Sequence, residues 1–282
     1  MADFLSALAQ YTFLQNAVLA GLLASVACGV MGTFVVARRI TYLAGGIAHS
    51  ILAGLGAVYY LNQVHHWTLL KPVHGAALAA VVSALIIGWV SLRARQREDT
   101  VIGAIWAIGM ATGILFIAMT PGYNQELMSY LFGNILMVSG RDLWLMLALD
   151  AVLLALVYVF YGQFLTVCFD PELANVRGIR VDLFYLLLLV LTALTVVVQV
   201  AVVGVVLVIA LLTIPVAIAE RFVSTMGRVM VVAAAVSMIL TLAGLALSYR
   251  PNLPAGATTI ALAGLVYLLV LAGGRFFGRR AA

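Results

Sequence analysis

The sequence predicts an all-α membrane protein, a polytopic bundle of eight or nine transmembrane helices, on three observations. Of its 282 residues, 65% are hydrophobic and only 9% charged, against about 25% charged in ordinary globular domains. Its mean hydropathy is +1.18, so lipid is the solvent for most of its surface and the backbone must satisfy itself within helices. The basic residues are distributed unevenly. Arg38, Arg39, Arg93, Arg95, Arg97, Arg177, Arg180, Arg221, Arg228, Arg275, Arg279 and Arg280 fall in segments that alternate to one side, and only Lys71, Arg141 and Arg250 on the other. That positive-inside bias places the N-terminus outside and the C-terminus in the cytoplasm. It also accounts for the net charge of +5 without a nucleic-acid partner.

The whole chain, residues 1–282, reads as one transmembrane domain. Residues 1–16 lack a basic n-region and show no cleavable signal peptide; they are expected to lie along the interface. The first span is expected over 13–37, with Gly21, Ser25 and Gly29 as a close-packing face. The second covers 41–61 and holds one titratable group, His49. There Gly46, Ser50 and Gly54 form one small face, and Gly45, His49 and Ala53 the neighbouring one. The third and fourth spans are expected over 74–92 and 101–120, and Gly109 and Gly113 make a GxxxG pair of low specificity. Residues 121–141 form an outer-side segment, either a short surface helix or a partial re-entry. The fifth span, 142–162, contains Asp150.

Residues 163–182 are the longest polar interruption on the inner side. Asp170 reads as an N-cap, Pro171 as the first helical position and Gly178 as the stop. A short helix across the inner face follows. The apolar run 183–219 far exceeds the ~20 residues one crossing needs, so it reads as two spans with a tight outer turn near Gly204. Two further spans, 229–248 and 258–272, lead to a basic tail.

Cys28 and Cys168 imply no disulfide framework. There is no phosphate-binding loop, since the only lysine is Lys71 and it lacks the glycine-rich context. With no long soluble segment, the chain is not expected to be an enzyme. Its function is vectorial, structural or an intramembrane reaction. An ionisable group in a spanning helix is costly and usually faces a protein interior or a solute pathway. His49 lies eight residues into its span and Asp150 eight into the fifth, ~12 Å deep in each. An imidazole and a carboxylate at one level suit a borderline divalent cation; structural hydrogen bonding is the plain alternative for both. His65, His66, His74 and Glu126 read as outer loop and interface residues. Trp67, Trp89, Trp106 and Trp144 read as interfacial anchors at span ends.

Several stretches together resemble the permease subunits of ABC transporters that import zinc, manganese or iron. They are FLQNAVLAGLLASVACGVMGTFVVARR, LAGGIAHSILAGLG, YLFGNIL, FDPELANVRGI and VGVVLVIALLTIPVAIA, and the match covers nearly the whole chain. The resemblance implies a cobalamin-importer-like permease fold in a bacterial cytoplasmic (inner) membrane. It implies a homodimer around a central path, separate cytoplasmic ABC ATPase subunits and an extracytoplasmic metal-binding protein. No cofactor is expected to be permanently bound; a divalent metal, zinc or manganese, is the cargo. Asp170, Pro171, Glu172, Ala174 and Gly178 then belong to the ATPase-coupling element, and Tyr130, Leu131, Phe132 and Gly133 to the outer-side segment that meets or gates toward the binding protein. Many relatives carry an aspartate four residues before the histidine matched by His49. Here that position is Gly45, and Asp150 is the expected substitute ligand. A permease for a chelated metal or small organic solute, and a proton-coupled carrier, remain the rival readings.

Overall fold

The computed structural model describes residues 2–67, 70–93, 97–120, 133, 135–249, 251 and 253–277. Tyr130, Leu131 and Phe132 lie outside the described residues. Those described form helices α1 (Ala2–Gln10), α2 (Thr12–Ala37), α3 (Tyr42–His65), α4 (Pro72–Arg93), α5 (Glu98–Ala118), α6 (Gly140–Val159), α7 (Tyr161–Phe169), α8 (Pro171–Val176), α9 (Val181–Val203), α10 (Val205–Ala219), α11 (Met226–Tyr249) and α12 (Ala255–Phe277). Eight of them are long and apolar enough to cross a membrane, and α10 is a shorter apolar helix of 15 residues. The expectation of eight or nine spans is met. The long apolar run divides at Gly204, whose φ of 87° is a conformation glycine adopts without a Cβ penalty.

In lipid no hydrophobic force pulls apolar helices together, so association depends on close van der Waals packing. Small residues permit it here. α2 is the most buried span and packs against α6, α9, α10 and α11. Its small face meets α11: a Cβ on Gly21 would lie 2.7 Å from Thr241 Cγ2, and one on Gly29 2.6 Å from the Ala234 backbone nitrogen. α3 lies between α4 and α5. Gly54 of α3 and Gly75 of α4 meet backbone to backbone, each occupying the space a Cβ on the other would need. Along α5 the contacts step in parallel register: Ile102 with Gly46, Gly109 with Ser50, Gly113 with Leu52 and Ala53. The GxxxG pair of α5 is therefore its seam with α3.

Four buried hydroxyls return their protons to their own helices. Ser25 donates to the Gly21 carbonyl and Thr33 to that of Gly29, both at 2.7 Å, while Thr192 donates to Leu188 and Thr195 to Leu191, both at 2.8 Å. Each bond satisfies a polar group that lipid cannot.

The Gly54–Gly75 crossing leaves no room for side chains. Gly75→Leu is expected to destabilise the folded chain by about 2–3 kcal/mol, seen as a lower thermal unfolding midpoint in detergent. Gly162→Ala, where no atom lies within 4 Å of the new Cβ, is expected to leave the midpoint unchanged or slightly raised.

Candidate functional site

His49 stands on the α3 face that meets α5. Its Nδ1 lies 2.8 Å from the Gly45 carbonyl oxygen, one turn back. A backbone carbonyl can only accept, so Nδ1 carries the proton. In the neutral ring Nε2 then keeps its lone pair, the state in which imidazole ligates a metal. No described residue hydrogen-bonds Nε2.

The imidazole is stacked on Trp106 of α5, with ring centroids 4.5 Å apart and planes inclined by 23°. The same indole fills the space beside Gly45: a Cβ there would lie 2.9 Å from Trp106 Cζ3 and 3.2 Å from Cη2. Both rings are partly buried within one chain. Trp106 lies eight residues into α5, ~12 Å from its start, which corrects its reading as a span-end anchor. Trp67, Trp89 and Trp144 are largely exposed on the chain, as interfacial or lipid-facing residues would be.

Asp150 occupies a different part of the bundle. It is 3% exposed and both carboxylate oxygens lack a hydrogen-bond partner among the described residues. Its helix, α6, packs on α2 and α9. No hydrogen bond or ion pair joins it to His49 among the described residues. The two groups share a depth along their helices, which have different main packing neighbours: α4 and α5 for α3, α2 and α9 for α6. Gln199 is fully buried and equally unpaired. Among the described residues no three of His, Cys, Asp and Glu gather as a metal cage.

At the arginine-rich end, Glu98 in the first turn of α5 joins three helices. The hydroxyl of buried Tyr185 on α9 donates to Glu98 Oε1 at 3.0 Å. Arg38, closing α2, approaches the same oxygen at 4.0 Å and covers the Tyr185 ring at 5.3 Å. Partly exposed ion pairs contribute about 0–1 kcal/mol, whereas a hydrogen bond to a charged group contributes roughly 1.5–3 kcal/mol. Tyr185 is therefore the stronger tether.

The short helix α8 forms at the same end. Asp170 caps it by accepting from the Leu173 backbone N–H at 2.9 Å, and Pro171 begins it. Gly178, at φ 74°, ends it; the Gly178 and Ile179 N–H groups donate to the Asn175 and Ala174 carbonyls. This is the paired bonding of a glycine-terminated helix. Ala174 is buried, while Phe169, Leu173 and Val176 are 64%, 40% and 86% exposed. Such a group of apolar side chains at a polar end suits a protein partner. Glu172 is exposed in the first turn. At the opposite end Gly133, at φ 69°, rests on the Val203–Gly204 backbone, and Asn16 Nδ2 donates to the Val138 carbonyl at 3.1 Å.

The model of the ABC 3 transport family matches residues 10–274. An uncharacterised membrane protein of Synechocystis is 44% identical over 263 residues, covering 93% of this chain and 91% of that protein. The manganese transport system membrane protein MntC of Listeria monocytogenes is 31% identical over 266 residues, covering 94% and 92%. A chain of the solved PsaBC of Streptococcus pneumoniae, in complex with a Fab, superposes with a TM-score of 0.83 at 28% identity, over 95% of this chain and 94% of that one.

The Gly45 hydrogen bond fixes a tautomer that can be observed directly. Nitrogen-15 spectra of histidine-labelled protein are expected to show the neutral form of the His49 ring with a protonated Nδ1 and an unprotonated Nε2, assigned by loss of the signals in His49→Gln. The opposite tautomer would contradict the geometry.

Proposed function

Because the chain belongs to the ABC 3 transport family, an integral membrane subunit that is not itself an enzyme, we propose that it is the permease of a divalent metal importer of the zinc or manganese class. The observation that carries this reading is His49: a partly buried imidazole, anchored through Nδ1, with Nε2 free of described partners in an otherwise apolar span.

Two copies of the chain enclose the path, and each contributes His49 as a transient ligand. One nitrogen donor from each copy, without a carboxylate, binds weakly enough to release the ion, which suits a passage rather than a store. Asp150, which makes no hydrogen bond or ion pair with His49 among the described residues, is a second buried polar group. The N-terminus lies outside and the C-terminus in the cytoplasm of a bacterial inner membrane, following the arginine bias. An extracytoplasmic metal-binding protein delivers the ion at the end where Gly133 meets Gly204. Separate ATPase subunits seat on α8, where Leu173 and Val176 offer an apolar contact and Asp170 and Gly178 fix the helix ends.

Energy reaches the path through the arginine-rich end. α8 follows directly from α7, which packs on α9 and α2. Arg38 and Tyr185 hold Glu98, and Glu98 begins the helix that carries Trp106. A shift of α8 driven by the ATPase thus moves α5 against α3, opening the path alternately to either side.

Purified permease, ATPase and binding protein in liposomes provide the test. ATP-dependent accumulation of zinc or manganese is expected, and His49→Ala is expected to lower the rate by at least about tenfold, on the scale seen around metal ligands, with assembly unchanged by size-exclusion chromatography. Uptake that persists without the ATPase, or that requires a chelator, would replace this reading with a carrier or a metal-chelate permease.

A further inference from the structure

Trp106 belongs to no motif noted in the sequence, yet its ring is stacked on that of His49, with centroids 4.5 Å apart. Its stacked position covers a face of the imidazole. The Nε2 lone pair lies in the plane of the ring, so the indole leaves that direction open while screening what approaches from its own side.

The backbone packing decides which donors can join the ring. The nearest carbonyl of α3, that of Gly45, is occupied by Nδ1. A side chain at position 45 would collide with Trp106 Cζ3 at 2.9 Å, and one at position 46 with Ile102 Cγ2 at 2.8 Å. Both distances are shorter than ordinary carbon–carbon contacts of about 3.5–4.0 Å. The one buried carboxylate nearby in depth, Asp150, stands on α6, which packs on α2 and α9. The described surroundings therefore offer one nitrogen donor and an aromatic face, and no carboxylate.

Resting on the permease reading above, we propose that Trp106 determines which cations the His49 station accepts: by filling the space beside Gly45 and stacking on the imidazole, it keeps carboxylate donors away and favours borderline, zinc-class ions over hard, manganese-class ions. Hard cations prefer carboxylate, carbonyl and water oxygens, whereas imidazole suits zinc and its neighbours. A station of one imidazole without an acidic partner discriminates by that difference. The indole acts on the ion through His49 and through the volume it denies to position 45, so it is a specificity and positioning residue rather than a ligand.

Equilibrium dialysis of the purified full-length chain with radioactive zinc or manganese tests this. Wild type is expected to retain zinc at least about tenfold more tightly than manganese. Trp106→Phe, which keeps an aromatic face, is expected to preserve that ratio. Trp106→Ala combined with Gly45→Asp places a carboxylate one turn from His49 and is expected to lower it by about tenfold; Gly45→Asp alone, blocked by the indole, is not. Zinc is also expected to change a component of tryptophan emission that is missing in Trp106→Phe and silenced in His49→Ala. An unchanged zinc-to-manganese ratio in the folded double variant, or a wild-type preference for manganese, overturns the inference. If the double variant does not fold, the emission decides: no zinc response assignable to Trp106 in the wild type overturns the inference equally. Failure of the complete transporter to move any divalent metal would instead refute the permease reading; transport with a ratio insensitive to Trp106 would remove only this inference.

Discussion

The architecture depends on how closely α3 can approach its two neighbours. Lipid tails are as apolar as leucine, so the helices gain nothing from hiding leucine from them. What remains is contact, and contact requires backbones to come near. Gly54 meets Gly75 of α4, while Gly46, Ser50 and Leu52 meet Ile102, Gly109 and Gly113 of α5. Every one of these seams lacks a bulky side chain on at least one partner. The result is a helix held on two sides along most of its length, and His49 is placed by that grip. Its ring can stack on Trp106 because α3 and α5 run in parallel at a separation that glycines set.

The same rigidity makes α5 a lever. Its first turn carries Glu98, tied to α2 and α9 through Arg38 and Tyr185. Two turns further along it carries Trp106. A rigid helix transmits displacement at one end to side chains along it, so the polar cluster and the aromatic stack are mechanically one unit. The cluster sits beside the segment leading to α8, where apolar side chains stand exposed for a partner. His49 and the exposed apolar side chains of α8 are joined by packed helices rather than by a chain of polar groups.

Much of this was legible in the sequence because its signals are local. Span number followed from hydropathy, and Asp170, Pro171 and Gly178 marked α8 because caps act within a few residues. The Gly21–Ser25–Gly29 and Gly46–Ser50–Gly54 faces were visible as spacing; Gly21 and Gly29 meet α11, whereas the second face divides, Gly46 and Ser50 meeting α5 and Gly54 meeting α4. Adjacency between helices was not legible. His49 and Asp150 share a depth, but depth along two helices does not say that they touch; α6 turned out to pack on α2 and α9, and α3 on α4 and α5. Trp106 was misplaced for the same reason. A tryptophan in a span usually anchors at the interface, and only the parallel register of α5 with α3 brings this one to His49. The span expected over 101–120 put it only five residues in, and α5 begins earlier, at Glu98.

The account stands on His49 Nε2 being the atom a cargo ion meets. The most direct measurement is a metal-soaked structure of the assembled transporter, with the ion located by its anomalous scattering. The account predicts a peak roughly 2.0–2.1 Å from His49 Nε2, the distance of a zinc–imidazole bond, with Nδ1 still donating to the Gly45 carbonyl. A metal bound within the membrane at other residues, with His49 unliganded, would contradict it.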